Sequence, residues 1–213
     1  MKYRTSNNII KLESNQYPMN AITKARSSTQ YVIPITGDIG EIYEYGELVN
    51  ILTYATEDDA VYIQLSSSGG KLETCDYLCR RMDECEAEIT VEIGFTCASA
   101  ASAIALHAND WVIYPSSTMM IHSCSYSPGH GKESDVRARA EFVERVNQEW
   151  IERTYQGFLI EEELIDVLDN GKDLYFYADD LRERMPLYKQ YRKECKAREV
   201  EETLQYWKTL NAA

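Results

Sequence analysis

The sequence predicts an α/β domain built on a mostly parallel sheet with flanking helices, and three observations lead there. Short runs rich in Ile, Val and Tyr alternate with stretches of helical periodicity. Most of the short runs end at Gly, Ser or Pro. No internal repeat or interior linker divides the 213 residues, a length suited to one sizeable core. Strand–helix alternation at this pitch implies right-handed crossovers between parallel strands.

In chain order, residues 1–29 are polar and aperiodic and read as an N-terminal arm. Residues 31–36 form the first predicted buried strand, stopped by Gly37-Asp38. A helix follows within 42–55, where Leu48, Val49, Ile51 and Leu52 recur at helical spacing. The second strand is 60–65, and Ser66-Ser67-Ser68-Gly69-Gly70 reads as a turn that opens an amphipathic helix marked by Leu72, Cys75, Leu78, Cys79 and Met82. Residues 89–94 are strand-like, and 98–108 form a helix of small residues. Two short strands, 111–114 and 119–121, flank Pro115. A polar loop over 123–132 leads into a long helix at about 134–156, which projects from the domain. A shorter helix at 161–168 ends towards Gly171. The main domain is expected at 30–185, with a charged, helical C-terminal tail at 186–213.

Composition narrows the function classes. Net charge is −13, from 22 basic and 35 acidic residues, which disfavours nucleic acid or an anionic membrane as a partner, because both select clustered positive charge. The start, Met1 to Asn8, lacks the apolar stretch of a signal peptide, and no run reaches the ~18 apolar residues that span a bilayer. Six cysteines and three histidines fall outside metal-ligand spacing, so neither metal nor cofactor is expected. The cysteines read as reduced thiols in a cytoplasmic setting. Sixteen tyrosines suit a subunit interface or a peptide groove, or simply half-buried packing.

Hydroxyl catalysis needs an oxygen exposed at a turn, a base within reach, and donors aimed at the developing oxyanion. Ser99 lies where a strand gives way to a helix of small residues, at a helix N-terminus that favours negative charge. Serines there also serve as helix caps. Ser102, three residues on, is the rival nucleophile, nearly one turn further from the free amides. His122 follows an apolar strand, which places its imidazole at a sheet edge. His107 and His130 do not follow strands. Gly69-Gly70 permits close backbone approach and frees N–H groups for an anion or a carbonyl oxygen. It is not a phosphate loop, since G-x-x-x-x-G-K-[ST] is missing.

The order of these segments resembles the ClpP-like serine peptidases, the caseinolytic protease subunit with its phage and SppA-like relatives, over about residues 31–180. Residues 62–70 resemble the family's Y-I-N-S-P-G-G segment, and Cys97-Ala98-Ser99-Ala100-Ala101-Ser102 its A-A-S-A-A-S nucleophile turn. Met119-Met120-Ile121-His122 resembles its M-I-H strand, and residues 172–178 the D-R-F-L-S-A segment that carries an aspartate. The resemblance implies a ClpP/crotonase-like fold with a handle helix at about 134–156. It implies catalytic Ser99, His122 and Asp173, with Gly70 and Ala100 amides as the oxyanion hole, while Asp166 and Asp169 stand near as solvated alternatives. It further implies a homo-oligomeric ring or double ring acting on peptides or unfolded proteins, an AAA+ unfoldase as partner for folded ones, and substrate docking along 123–132. Ser68 stands where the family has proline, and the family's A-x-x-x-G-L-V-D ending is absent.

Three function classes follow. The first is an ATP-independent serine endopeptidase subunit, with a phage-type capsid or scaffold processing protease as a variant. The second is an assembly protein that keeps the fold without activity. The third is a crotonase-like acyl-CoA enzyme, which needs an oxyanion hole but no serine–histidine pair.

Overall fold

The computed structural model describes residues 4–6 and 28–211. The polar arm expected over 1–29 lies outside the described residues apart from 4–6 and 28–29. Among the described residues seven strands form one sheet: β1 (Arg4–Ser6), β2 (Ser28–Ile39), β3 (Ala60–Gly70), β4 (Glu88–Ala98), β5 (Asp110–Ile113), β6 (Thr118–Ile121) and β7 (Leu174–Tyr177). The sheet runs β1-β2-β3-β4-β6-β7, with β5 also pairing β4. All pairings from β2 through β6 are parallel, while β1 and β7 add antiparallel edges. The helices are α1 (Gly46–Tyr54), preceded by a 3-10 turn at Ile42–Tyr45, α2 (Leu72–Glu84), α3 (Ala100–Leu106), α4 (Glu133–Tyr155), α5 (Glu161–Leu168) and α6 (Ala178–Asn211). This is the α/β architecture that the alternation predicts.

The core lies on one face of the sheet. Val61, Ile63 and Leu65 of β3 and Ile89, Val91 and Ile93 of β4 are buried, and they pack against Leu78, Met82, Ile104 and Leu106 in the same cluster. The intervening residues Tyr62, Gln64, Thr90 and Glu92 lie on the opposite, more open face, following the period of two. There Gln64 donates to Glu92 at 3.2 Å.

β4 runs on to Ala98, past the strand expected at 89–94, and four further differences from the sequence expectation each have a physical reason. β2 does not stop at Gly37-Asp38. A register shift between Thr36 and Asp38 absorbs Gly37 at φ +80° as a bulge, and pairing with β3 resumes. The Ser66-Ser67-Ser68-Gly69-Gly70 segment is likewise no turn but the end of β3, held by β2 partners on one side and by Ser67 opposite Cys97 on the other. β7 takes residues for which no strand was expected. Finally, the charged tail belongs to a helix that begins at Ala178 and continues through Pro186. Pro186 removes one ladder hydrogen bond, yet Leu181, Met185 and Tyr188 are buried on its body-facing side. Arg192 secures the same helix by donating to the carbonyls of Leu106 and Ala108, at the C-terminal end of α3.

The handle helix expected at 134–156 is α4. Its buried residues are Ile151, Thr154 and Tyr155, all near its C-terminal end, while Phe142 stands 68% exposed. The helix therefore projects from a base that is anchored in the core.

A bidentate ion pair fastens α5 to α6: Arg184 donates to both carboxylate oxygens of Glu163 at 2.7 and 2.8 Å, with its guanidinium 4.7 Å from the Phe176 ring centroid. Burial pushes the Glu163 carboxyl up. The Arg184 bonds and the Ile160 amide outweigh it and hold the group below its ordinary 4.5. A carboxylate depressed by folding stabilises above its unfolded pKa, and that stability is lost as pH falls through the folded value. Arg184→Met keeps the ring contact but leaves Glu163 with the Ile160 amide and no cation, and it should cost about 2 kcal/mol at neutral pH. Urea titrations should show the gap between wild type and variant shrinking as pH falls below the group's ordinary 4.5; a gap independent of pH contradicts this account.

Candidate active site

Ser99 joins the last residue of β4 to the first of α3. Its φ is +54° and its ψ −127°, and it is the one non-glycine with positive φ among the described residues. Such a conformation costs on the order of 1–3 kcal/mol and persists only where neighbours enforce it. Here the Ser99 N–H donates to the Met120 carbonyl of β6 at 2.9 Å. The Ser99 carbonyl in turn accepts from the Ser102 N–H at 2.9 Å and from Ser102 Oγ at 2.6 Å. Pinned at both ends, the turn holds its side chain away from α3. Ser99 occupies the N-cap position without capping. Its Oγ instead meets His122 Nε2 at 2.9 Å.

His122 directly follows β6. The antiparallel register of β6 and β7 pairs Ile121 with Leu174, so one step further along the ladder His122 faces Asp173. Asp173 Oδ1 stands 3.8 Å from His122 Nδ1, which is ion-pair range and longer than a hydrogen bond. The Asp173 side chain is 48% exposed, and Tyr175 donates to its other oxygen at 3.5 Å.

The alternatives are engaged elsewhere. Ser102 is fully buried and bonded to the Ser99 carbonyl and to the Tyr155 hydroxyl, so its oxygen faces the core. Asp166 accepts from Lys172 and Asn170, each at 2.8 Å, and the Lys172 bond first of all holds its carboxyl below the usual range. Asp169 is the exposed C-cap of α5. His107 contacts Asp83 at 2.9 Å beyond the end of α3, and His130 lies exposed in the 123–132 loop. Cys97, two residues from Ser99, is buried, and that burial pushes its thiol far up, away from the reactive thiolate.

Opposite Ser99 runs the end of β3. Gly69, at φ +102°, approaches so closely that a Cβ there would stand 2.6 Å from the Ser99 Cβ and 2.8 Å from the Ala98 carbonyl. Gly70, at φ +151°, has its own close contact on the far side, against the Ile39 backbone. The Ile39 carbonyl takes its hydrogen bond from Lys71, one residue past Gly70, while the Gly69 N–H is occupied by Ser67 Oγ at 3.1 Å. Ser68, in the place of the family's proline, donates to Asp38 at 2.7 Å and ties β3 to β2. Sequence reasoning expected close backbone approach and free N–H groups from the Gly69-Gly70 pair; Gly69 is the one that admits the Ser99 turn, and its N–H is not free. Sequence reasoning missed Tyr155. Among the described residues no three His, Cys, Asp or Glu side chains converge as a metal site, and no helix is long and apolar enough to cross a membrane.

The assembled groups are a strained hydroxyl, an imidazole bonded to it, and a carboxylate on the far side of that imidazole, an order suited to acyl transfer. Comparison with known proteins agrees with the chemistry. The sequence model described as Clp protease matches residues 26–180, well over half of the chain and all three of these groups. Among curated proteins, no relative was found.

Proposed function

The chain belongs to the Clp protease family, which implies a serine-type peptidase, and we propose that it hydrolyses peptide bonds through Ser99, His122 and Asp173. The observation that carries this reading is the 2.9 Å contact between Ser99 Oγ and His122 Nε2, made by a serine whose backbone is held in a costly conformation. In the proposed cycle Ser99 Oγ attacks the peptide carbonyl carbon while His122 Nε2 takes its proton. The carbonyl oxygen becomes an oxyanion that the Gly70 and Ala100 amides receive. His122 then gives the proton to the leaving amine, and water repeats the sequence on the acyl-enzyme. Asp173 orients the imidazole and balances its charge, closing from 3.8 Å to hydrogen-bond distance as that charge forms.

Members of the family form oligomeric rings acting on peptides. We extend this to a homo-oligomeric chamber that α4 helps to close, with residues 30–185 as the peptidase domain and the 123–132 loop beside the substrate. Substrates are peptides or unfolded chains, with an AAA+ unfoldase delivering folded ones. A fluorophosphonate probe with mass mapping tests the activity. Wild type should be labelled at Ser99, and His122→Ala should suppress labelling. Folded, assembled wild type that stays unlabelled points to an inactive assembly protein or an acyl-CoA enzyme.

A further inference from the structure

Two hydroxyls sit in the core directly behind the proposed nucleophile, and the catalytic cycle above does not use them. Ser102 is 0% exposed and Tyr155 is 1% exposed. Burying such groups is costly unless they are bonded, and they are bonded to each other at 2.8 Å. The direction of the chain follows from valence. The Ser99 carbonyl can only accept, so Ser102 Oγ–H donates to it, at 2.6 Å. That leaves the Ser102 oxygen as acceptor, and the Tyr155 O–H donates in turn. Burial pushes the Tyr155 phenol up, which keeps it protonated as this direction requires.

From this geometry, and resting on the peptidase reading above, we infer that Ser102 and Tyr155 are positioning residues that hold the Ser99 turn in its reactive conformation and key it to the base of α4. The orientation of the Ser99 carbonyl is its ψ angle. Two donors from residue 102 fix that carbonyl, and Tyr155 fixes the rotamer of one of them. Tyr155 is in turn set by its place as the last residue of α4, with the Trp150 ring edge-on at 5.8 Å between centroids and Ile151 fully buried beside it. A shift in the seating of α4 therefore reaches the nucleophile through two hydrogen bonds. The free end of that helix is the part that projects from the domain, so a contact made there has a route to the site.

The test compares wild type with Tyr155→Phe, Ser102→Ala and the double variant, reading the rate of fluorophosphonate labelling at Ser99 together with kcat and KM for a fluorogenic peptide. Tyr155→Phe removes one oxygen and keeps the ring, so it should lower kcat and the labelling rate roughly 3- to 10-fold with KM unchanged. Ser102→Ala should cost roughly 10-fold or more, because a donor to the Ser99 carbonyl is lost. The double variant should be no slower than Ser102→Ala, since Tyr155 acts only through Ser102. Wild-type rates in Tyr155→Phe, or losses that multiply in the double variant, overturn the inference. Where Ser102→Ala does not fold, Tyr155→Phe alone decides. Wild type unlabelled at Ser99 sinks the peptidase reading and this one with it, whereas labelled wild type beside an unaffected Tyr155→Phe sinks only the positioning role.

Discussion

Ser99→Ala is expected to lower peptide hydrolysis by roughly 10⁴- to 10⁶-fold, the range seen when a nucleophile acting as one unit with its base is removed. The substitution takes away one oxygen and little else. Alanine keeps the Cβ that already sits at φ +54°, so the backbone strain is unchanged. The Met120 and Ser102 bonds that pin the turn involve the main chain of residue 99, so they survive. His122 loses its partner but is 22% exposed, enough for water to take the vacated bond. Thermal stability and assembly should therefore stay near wild type while kcat collapses. Ser102→Ala supplies the contrast: it should remove both buried bonds of the Ser102 hydroxyl, lower stability, and leave an enzyme slowed by far less. Finding Ser102→Ala dead and Ser99→Ala active would move the nucleophile one helical turn and dismantle the site as described.

How far the sequence reveals this site depends on where each residue sits. The meeting of Ser99 with His122 was legible because each lies at the junction of two elements, where strand and helix patterns break and a polar side chain is conspicuous. Asp173 was reached only through family resemblance. The strand that delivers it, β7, is four residues long, too short for alternation to assert itself, and only pairing with β6 defines it. Ser66 to Gly70 misled in the opposite direction. Small and glycine residues there carry a turn propensity, but parallel neighbours on both sides impose extended backbone, and tertiary pairing outweighs local preference. Pro186 misled similarly: the tail was expected to begin at it, yet buried contacts before and after it keep α6 continuous from Ala178. Tyr155 could not be told apart at all. On the buried face of a long helix a tyrosine reads as packing, and nothing local reveals that its hydroxyl meets Ser102, 53 positions away in the chain.

Gly69→Ala is expected to be the most damaging change outside the reacting groups. A methyl at this position would lie 2.6 Å from the Ser99 Cβ, 2.8 Å from the Ala98 carbonyl and 3.0 Å from the Ala100 nitrogen. None of these is the far end of a flexible side chain. The backbone must move, and the atoms that move are those that set the proposed nucleophile and one proposed oxyanion donor. At φ +102° alanine is also strained in its own right, by about 1–3 kcal/mol. Displacements approaching 1 Å at a reacting centre cost on the order of 100-fold. We therefore expect kcat/KM to fall by about that factor or more, alongside a measurable drop in stability. Gly37→Ala is the matching control. It too has positive φ, +80°, but a Cβ there would meet nothing within 4 Å. It should share the loss of stability and keep the activity. If the two glycine variants hydrolyse peptide equally well, the close approach of β3 to Ser99 has no part in catalysis, and the oxyanion-hole assignment at this strand end fails with it.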